Sequence, residues 1–230
     1  MKPRLLDLCV LDGLTPYDEG HALQLELVER RKSGAIPDTL ILVEHEPVIT
    51  LGRNASDEGL LATADELTRA GVILRRIERG GQATYHGPGQ LVGYPIFDLH
   101  ALELGVATYV RNLEQVMSHA AAAFGVDASS RDKLTGVFTD QGKVGAIGVR
   151  VTRGVTFHGF ALNVDPRIEH YGLIVPCGMT GTPVTSLAAC CRANDDRATL
   201  RSLGETGPSM GEVREAVIAA FRVVFGYSAG

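Results

Sequence analysis

The chain has 230 residues, of which 45% are hydrophobic and 21% charged; this is ordinary globular usage at a length that buries a substantial core, and it excludes a disordered or fibrous protein. The formal net charge of -5 excludes generic binding to nucleic acid or anionic membranes, which needs a basic surface. No apolar stretch approaches the roughly 20 residues that span a bilayer, and Asp7 interrupts the first apolar run, so a cytoplasmic protein without a signal peptide is expected.

In chain order, leucine-rich and β-branched runs over 4–11 and 38–44 predict strands. A helix is expected between them, with Thr15 as its cap, Pro16 at its first position, Asp18 and Glu19 in its first turn and Gly34 after its basic end. A short helix over 64–70 follows from the capping-box spacing of Thr63 and Glu66 and the stop at Gly71. Residues 106–124 carry a helical stripe of Val106, Tyr109, Val110, Leu113, Val116, Met117, Ala120 and Phe124, ended by Gly125; core packing explains such a stripe better than a cofactor site does. Residues 143–164 read as two strands joined by a turn at Arg153-Gly154, a hairpin expected at the active-site end. Residues 190–208 read as a mobile loop, and 209–225 as a last helix with a capping box at Ser209 and Glu212. One domain over 1–230, of mixed α/β (α+β) class, accommodates these elements.

Two basic clusters, Arg30-Arg31-Lys32 and Arg75-Arg76 with Arg79, stand out in an acidic chain. The first suits a helix C-terminus, and an acidic protein partner would have to find one of the two. The four cysteines, at 9, 177, 190 and 191, have neither disulfide nor zinc spacing, and reduced thiols are expected. Cys9 sits in an apolar strand and reads as core; Cys190 and Cys191 are in polar surroundings and receive no role. Cys177 is different, because the strand-like run Leu173-Ile-Val175 ends in Pro176 and delivers the thiol to a turn at Gly178. A nucleophile and a buried structural thiol are both compatible with that local pattern.

The stretch from Arg79 to Pro95 holds five glycines but matches neither the P-loop nor the dinucleotide-binding pattern. It reads as a glycine-rich turn or as a groove for an extended apolar chain. Lys143, next to the apolar run Val144-Gly-Ala-Ile-Gly148, is expected in a partly desolvated place. His86 and His158 are candidate helpers in acid–base work, with hydrogen-bonded structural roles as the alternative.

Seven ordered blocks over about 40–190 carry a resemblance. They are Glu44-His-Glu-Pro-Val-Ile-Thr-Leu-Gly-Arg53, Arg79-Gly-Gly to Tyr94-Pro-Ile96, Thr135-Gly-Val-Phe138, Lys143-Val-Gly-Ala-Ile-Gly148, His158-Gly-Phe-Ala-Leu-Asn163, Gly172-Leu-Ile-Val-Pro-Cys-Gly178 and Val184-Thr-Ser-Leu187. The chain resembles the lipoyl(octanoyl) transferase family of lipoate synthesis. The resemblance implies a single domain like the catalytic domains of biotin and lipoate ligases, with Cys177 as nucleophile and Lys143 as its partner. It further implies a substrate site formed by Arg79, Gly80, Gly81, Gln82, Ala83, Thr84, Tyr85 and His86, completed by Ala146, Ile147, Gly148, Gly159, Phe160 and Ala161.

The implied donor is octanoyl-acyl carrier protein, and the implied acceptors are lipoyl domains of 2-oxoacid dehydrogenases and the glycine cleavage H protein. No cofactor, metal, nucleic acid or membrane is expected to take part. Position 138 is Phe where the family usually has Trp, which leaves the packing there open. The rival readings are an ATP-dependent lipoate or biotin ligase, a non-catalytic acyl-binding or carrier-docking module, and a cysteine hydrolase. The first does not need Cys177, and in the second Cys177 only lines a pocket.

Overall fold

The structure is a computed structural model that describes residues 4–56, 59–175, 182–193 and 207–228. Ten strands are described: β1 (Leu6–Thr15), β2 (Asp38–His45), β3 (Val48–Leu51), β4 (Ile73–Arg76), β5 (Ala83–His86), β6 (Gln90–Ile96), β7 (Ser129–Arg131), β8 (Leu134–Thr139), β9 (Gly142–Thr152) and β10 (Val155–Asn163). The helices are α1 (Tyr17–Lys32), α2 (Ala64–Ala70), α3 (Val106–Ala122), α4 (Leu187–Ala193) and α5 (Met210–Phe225), with a 3-10 helix at Ile168–Leu173.

Seven strands form one mixed sheet in the order β1-β2-β6-β10-β9-β8-β7, and β4-β3-β5 form a second. The alternation along β2 shows why helices cover both faces of the large sheet. Leu40 and Leu42 join the core under α3 and α5, while Ile41 and Val43 join the core under α1, as the two-residue period of a strand requires. The small sheet packs with α2 around Ile49, Leu51, Leu67, Ala83 and Tyr85.

The capping boxes of α2 and α5 form as their spacing predicts: Thr63 and Ser209 each accept the N3 amide of Glu66 and Glu212, which reach back in return. Tyr109, Leu113, Val116, Met117 and Ala120 are buried on α3, whereas Val106 is exposed. Four other expectations are corrected. Thr15 ends β1 instead of capping α1; its carbonyl meets His45 Nδ1 at 2.9 Å, so tertiary pairing extends the strand to the helix start. Leu173-Ile-Val175 is no strand: the 3-10 helix runs to Leu173, and Ile174 makes only an isolated bridge to Leu60.

The expected loop at 190–208 begins inside α4, and its residues 194–206 lie outside the described residues. Cys190 and Cys191 consequently face the main core, not polar surroundings. Finally, the Arg153-Gly154 turn, with φ of 49° and 83°, lies at the far end of β9 from Lys143. Its Gly154 carbonyl accepts from Leu99 N at 2.9 Å. The hairpin places the site along its strands, not at its turn.

Candidate active site

A narrow, partly open cavity lies between the small sheet and the large one. Its apolar wall is Val92, Ala146, Ile147, Phe160 and Ala161, and Tyr17, Arg79, Thr84, His86, Tyr94 and His158 add polar groups. The close pairing of β6, β10 and β9 makes the space. Gly148 faces Gly159, Ala146 faces Ala161, and Phe160 lies opposite Gly93. A Cβ on Gly93 would run into the Phe160 ring, so the ring keeps its place in the wall only because position 93 carries no side chain.

The candidate residues divide on inspection. Arg79, Gly81, Thr84, His86, His158, Ala146 to Gly148 and Gly159 to Ala161 line the cavity. Ala83 and Tyr85 alternate to the opposite face of β5 and join the small-sheet core, where Tyr85 Oη lies 2.8 Å from His170 Nδ1. Burial raises the Tyr85 phenol to about 12, so it stays protonated. Gly80 and Gln82 line an adjoining, more open cleft, together with Asn54, Lys133, Thr135 and Lys143. Cavity and cleft share Gly81, Ile147 and Gly148.

Arg79 is held as well as exposed to the cavity. It is buried; Nη2 donates to the Thr50 carbonyl at 2.7 Å and hydroxyl at 2.9 Å, and Nη1 donates to the Gly80 carbonyl at 3.0 Å. The glycines beside it let the backbone zip between strands: Gly80 N donates to Val149 O at 3.0 Å, and Arg53 N donates to Arg79 O at 3.0 Å.

Lys143 is 6% exposed. Nζ donates to the Thr135 carbonyl at 2.9 Å and lies 5.4 Å from the centre of the Phe138 ring, so the aromatic at 138 sits against the ammonium. Pairing of β8 with β9 shifts register between Val137 and Phe138, opposite this lysine, a distortion that re-aims side chains beside functional sites. Gly136 has φ 119°, and a Cβ there would lie 2.7 Å from Lys143 Cε. The Lys143 backbone is fastened on its other side: its amide donates to Pro183 O at 2.8 Å, and its carbonyl accepts from Thr185 N at 3.0 Å. Cys177 and Gly178 lie outside the described residues.

His45, His86 and His158 are held neutral by burial. His45 Nδ1 lies 2.9 Å from Thr15 O, and Nε2 lies 2.7 Å from Tyr94 Oη. Because a carbonyl only accepts, Nδ1 carries the proton and Tyr94 donates to Nε2. His86 Nδ1 donates to Gln90 Oε1 at 2.7 Å, since the Gln90 amide nitrogen is already turned to the Tyr85 carbonyl and Asn163 Oδ1. Burial first, then the charge of His45, lowers His86 to about 3; burial lowers His45 to about 4. Burial, with His21 and Arg79 nearby, lowers His158 to about 3. Groups this far below neutral pH are weak bases and good polar wall.

Sequence reasoning missed Tyr17, Tyr94 and His45. The available signal was a histidine closing the apolar run of β2 and a tyrosine interrupting that of β6. Burial raises the Tyr17 and Tyr94 phenols, which remain protonated donors.

A family model described as the lipoyl protein ligase A/B catalytic domain matches residues 16–222. The chain is 48% identical over 180 residues to an octanoyltransferase of Koribacter versatilis, covering 76% of this chain and 72% of the relative. It is 43% identical over 223 residues to an octanoyltransferase of Rubrobacter xylanophilus, covering 96% and 94%. Among solved structures, lipoate-protein ligase A bound with ATP superposes with a TM-score of 0.74 at 17% identity, covering 98% of this chain and 87% of that one. A bipartite lipoate protein ligase of Thermoplasma acidophilum gives 0.68 at 16% identity, covering 98% and 86%. At such identities the two structures bear on the fold alone.

Proposed function

This chain belongs to the lipoyl protein ligase A/B catalytic-domain family, and from that membership we propose that it is an octanoyltransferase. It moves a medium-chain acyl group from acyl carrier protein to a lysine of lipoyl domains, including those of 2-oxoacid dehydrogenases and the H protein, in the cytoplasm. The observation that carries the reading is the junction of an apolar cavity with the cleft that holds Lys143, through Gly81, Ile147 and Gly148. An eight-carbon chain needs the first compartment, and acyl-transfer chemistry needs the second.

In the proposed reaction the Cys177 thiolate attacks the carrier thioester, the carrier thiolate leaves with the proton of the Lys143 ammonium, and an acyl-enzyme thioester forms. The lysine amine of the acceptor then attacks that thioester; the C–S bond breaks, an amide forms, and the now neutral Lys143 takes up the amine proton, which restores the Cys177 thiolate beside an ammonium. Thioester is exchanged for thioester and then for a more stable amide, so ATP is not required.

A free thiol with a pKa near 8.5 is only a few per cent thiolate at neutral pH. An ammonium at about 4 Å stabilises the thiolate by roughly 4 kcal/mol at an effective dielectric near 20, before desolvation costs; half of that ionises about half of the thiol at neutral pH. What supports the pairing is the chain path: Pro183, six residues after Cys177, is hydrogen-bonded to the Lys143 amide. In this reading Arg79, Gly81, Thr84, His86, Ala146 to Gly148 and Gly159 to Ala161 hold the acyl chain. His86 and His158 serve as wall and take no proton.

An ATP-dependent ligase shares the fold. The transferase is favoured because the curated octanoyltransferases stand at 48% and 43% identity, against 17% for the ATP-bound ligase. The deciding experiment is intact-mass spectrometry after mixing the protein with octanoyl-acyl carrier protein. An octanoyl adduct on wild type and none on Cys177→Ala is expected. An adduct on both proteins, or lipoyl-domain acylation only with ATP and free octanoate, overturns the proposal.

A further inference from the structure

Beside the Arg79-Gly80-Gly81 segment, outside the acyl-transfer chemistry, three side chains from distant parts of the chain converge. His21 comes from α1, Glu78 immediately precedes Arg79, and His158 is on β10. His21 Nε2 lies 3.1 Å from Glu78 Oε1, and His158 Nε2 lies 3.9 Å from that same oxygen. One ligand atom from each of the three falls within 4.8 Å of the others.

We propose that His21, Glu78 and His158 form a binding site for a divalent transition cation of the zinc class.

His158 argues for a ligand most directly. It is 2% exposed, and its Nε2 has no hydrogen-bond partner among the described residues. A buried ring nitrogen left without a partner carries a desolvation cost of about 1–3 kcal/mol, and a cation bound there removes it. The residue is also the only described non-glycine within a strand to hold a positive φ, at 53°; its amide is fixed by a 2.8 Å bond to the Gln24 side-chain oxygen.

The donor set agrees with the ion. Two imidazoles and one carboxylate are a recurrent zinc set that leaves a fourth position open. With metal–ligand distances near 2.0–2.1 Å, tetrahedral geometry separates ligand atoms by about 3.3 Å. The two measured separations, 3.1 and 3.9 Å, bracket that value. His21 and Glu78 are half-buried at the rim, with side-chain exposures of 22% and 36%, so the contraction falls on the side chains with room to move.

Arg79 and Arg150 stand near the same groups, and Arg150 Nη1 donates to the Glu78 carbonyl at 3.4 Å. Their charge opposes a cation and sets the affinity below that of an all-thiolate structural site. A bound ion would join α1, the glycine segment and β10 at one point on the cavity wall, since His158 lines the acyl cavity. The ion would add stability at that point without entering the acyl-transfer steps.

The test uses the full chain titrated with Co²⁺ as a spectroscopic probe and then with Zn²⁺. One Co²⁺ per chain is expected, with the intense visible absorption of a four-coordinate ion, displaced by Zn²⁺ and accompanied by a rise in Tm. His21→Ala should weaken binding by at least about tenfold, the loss already common when only a supporting partner of a ligand is removed. The folding of that variant is verified by unchanged metal-free Tm and unchanged octanoyl transfer. Failure to bind Co²⁺ overturns the proposal. So does binding that His21→Ala leaves unchanged, or a near-ultraviolet thiolate band that vanishes in Cys177→Ala and assigns the ion to the cysteine.

Discussion

The two compartments that meet at Gly81, Ile147 and Gly148 are built on opposite terms. The inner cavity has an apolar wall of strand residues, and its histidines are held neutral by burial. The outer cleft is wider and more polar, and it contains the lysine whose Nζ rests on a carbonyl and an aromatic face. One strand serves both: β9 gives Lys143 to the cleft near its start and Ala146 to the cavity three residues later. The difference teaches that recognition of the acyl chain and the proposed proton transfer are separable by substitution, although they are adjacent along the same strand.

The largest separation is expected at Lys143. Lys143→Arg keeps a positive charge near the thiolate but cannot release a proton at neutral pH. Acyl-enzyme should still appear by intact mass, while transfer to the lipoyl domain falls by about 10²–10⁴, the usual worth of general acid–base catalysis. Lys143→Met, similar in length and uncharged, should slow both half-reactions and controls for the added bulk of arginine. Wild-type transfer in Lys143→Arg would remove the proton-transfer role.

The cavity answers to pH through stability. His45, His86 and His158 are held at about 4, 3 and 3 in the folded chain, against about 6.5 when unfolded. Between those values the unfolded chain binds more protons, so this stability is complete above about pH 6.5 and is lost as pH falls toward 3–4. Each histidine should cost about 2 kcal/mol between pH 7 and pH 5. Urea denaturation at the two pH values measures the loss, and His86→Gln should reduce it by about one histidine's share. An unaltered loss would mean that His86 does not titrate as buried.

Gly136→Ala acts chiefly on the cleft. Its φ of 119° and the nearness of the Gly145 carbonyl and Lys143 Cε predict a stability loss of at least about 1–3 kcal/mol, the cost of one strained residue before the backbone clash is added. Turnover should fall further than the KM for carrier protein rises, because the substitution displaces Lys143 directly and reaches the cavity only through the Gly145 backbone. Thermal melting and steady-state kinetics decide it.

What could be read from sequence follows from how local each signal is. The Thr63–Glu66 and Ser209–Glu212 boxes and the Arg153-Gly154 turn were legible because backbone chemistry within four residues determines them. Thr15 was misplaced because pairing of β1 with β2, and its carbonyl's contact with His45, extend the strand to the helix. Cys190 and Cys191 looked polar from their neighbours, yet α4 turns them into the main core. The glycine-rich stretch suggested a groove by itself, whereas Ala146 to Gly148 and Gly159 to Ala161 were legible only through the family resemblance, since nothing in Ala146 or Gly159 alone indicates a binding wall. The convergence of His21, Glu78 and His158 has no local trace, because long stretches of chain separate the three.

The subtlest effect is expected where β9 and β10 wall the cavity. Ala146 and Ala161 face each other across the two strands, and both line the cavity. Leucine at 146 would add three carbons to that space and displace the end of an octanoyl chain before that of a shorter one. A methylene in an apolar pocket is worth about 1–3 kcal/mol, so the kcat/KM preference for octanoyl over hexanoyl carrier should fall by roughly tenfold or more. Acylation of Cys177 by the hexanoyl donor should stay near the wild-type rate, since Lys143 lies in the other compartment. If the octanoyl preference survives Ala146→Leu, the chain does not lie in this cavity, and selection passes to the open cleft around Lys143.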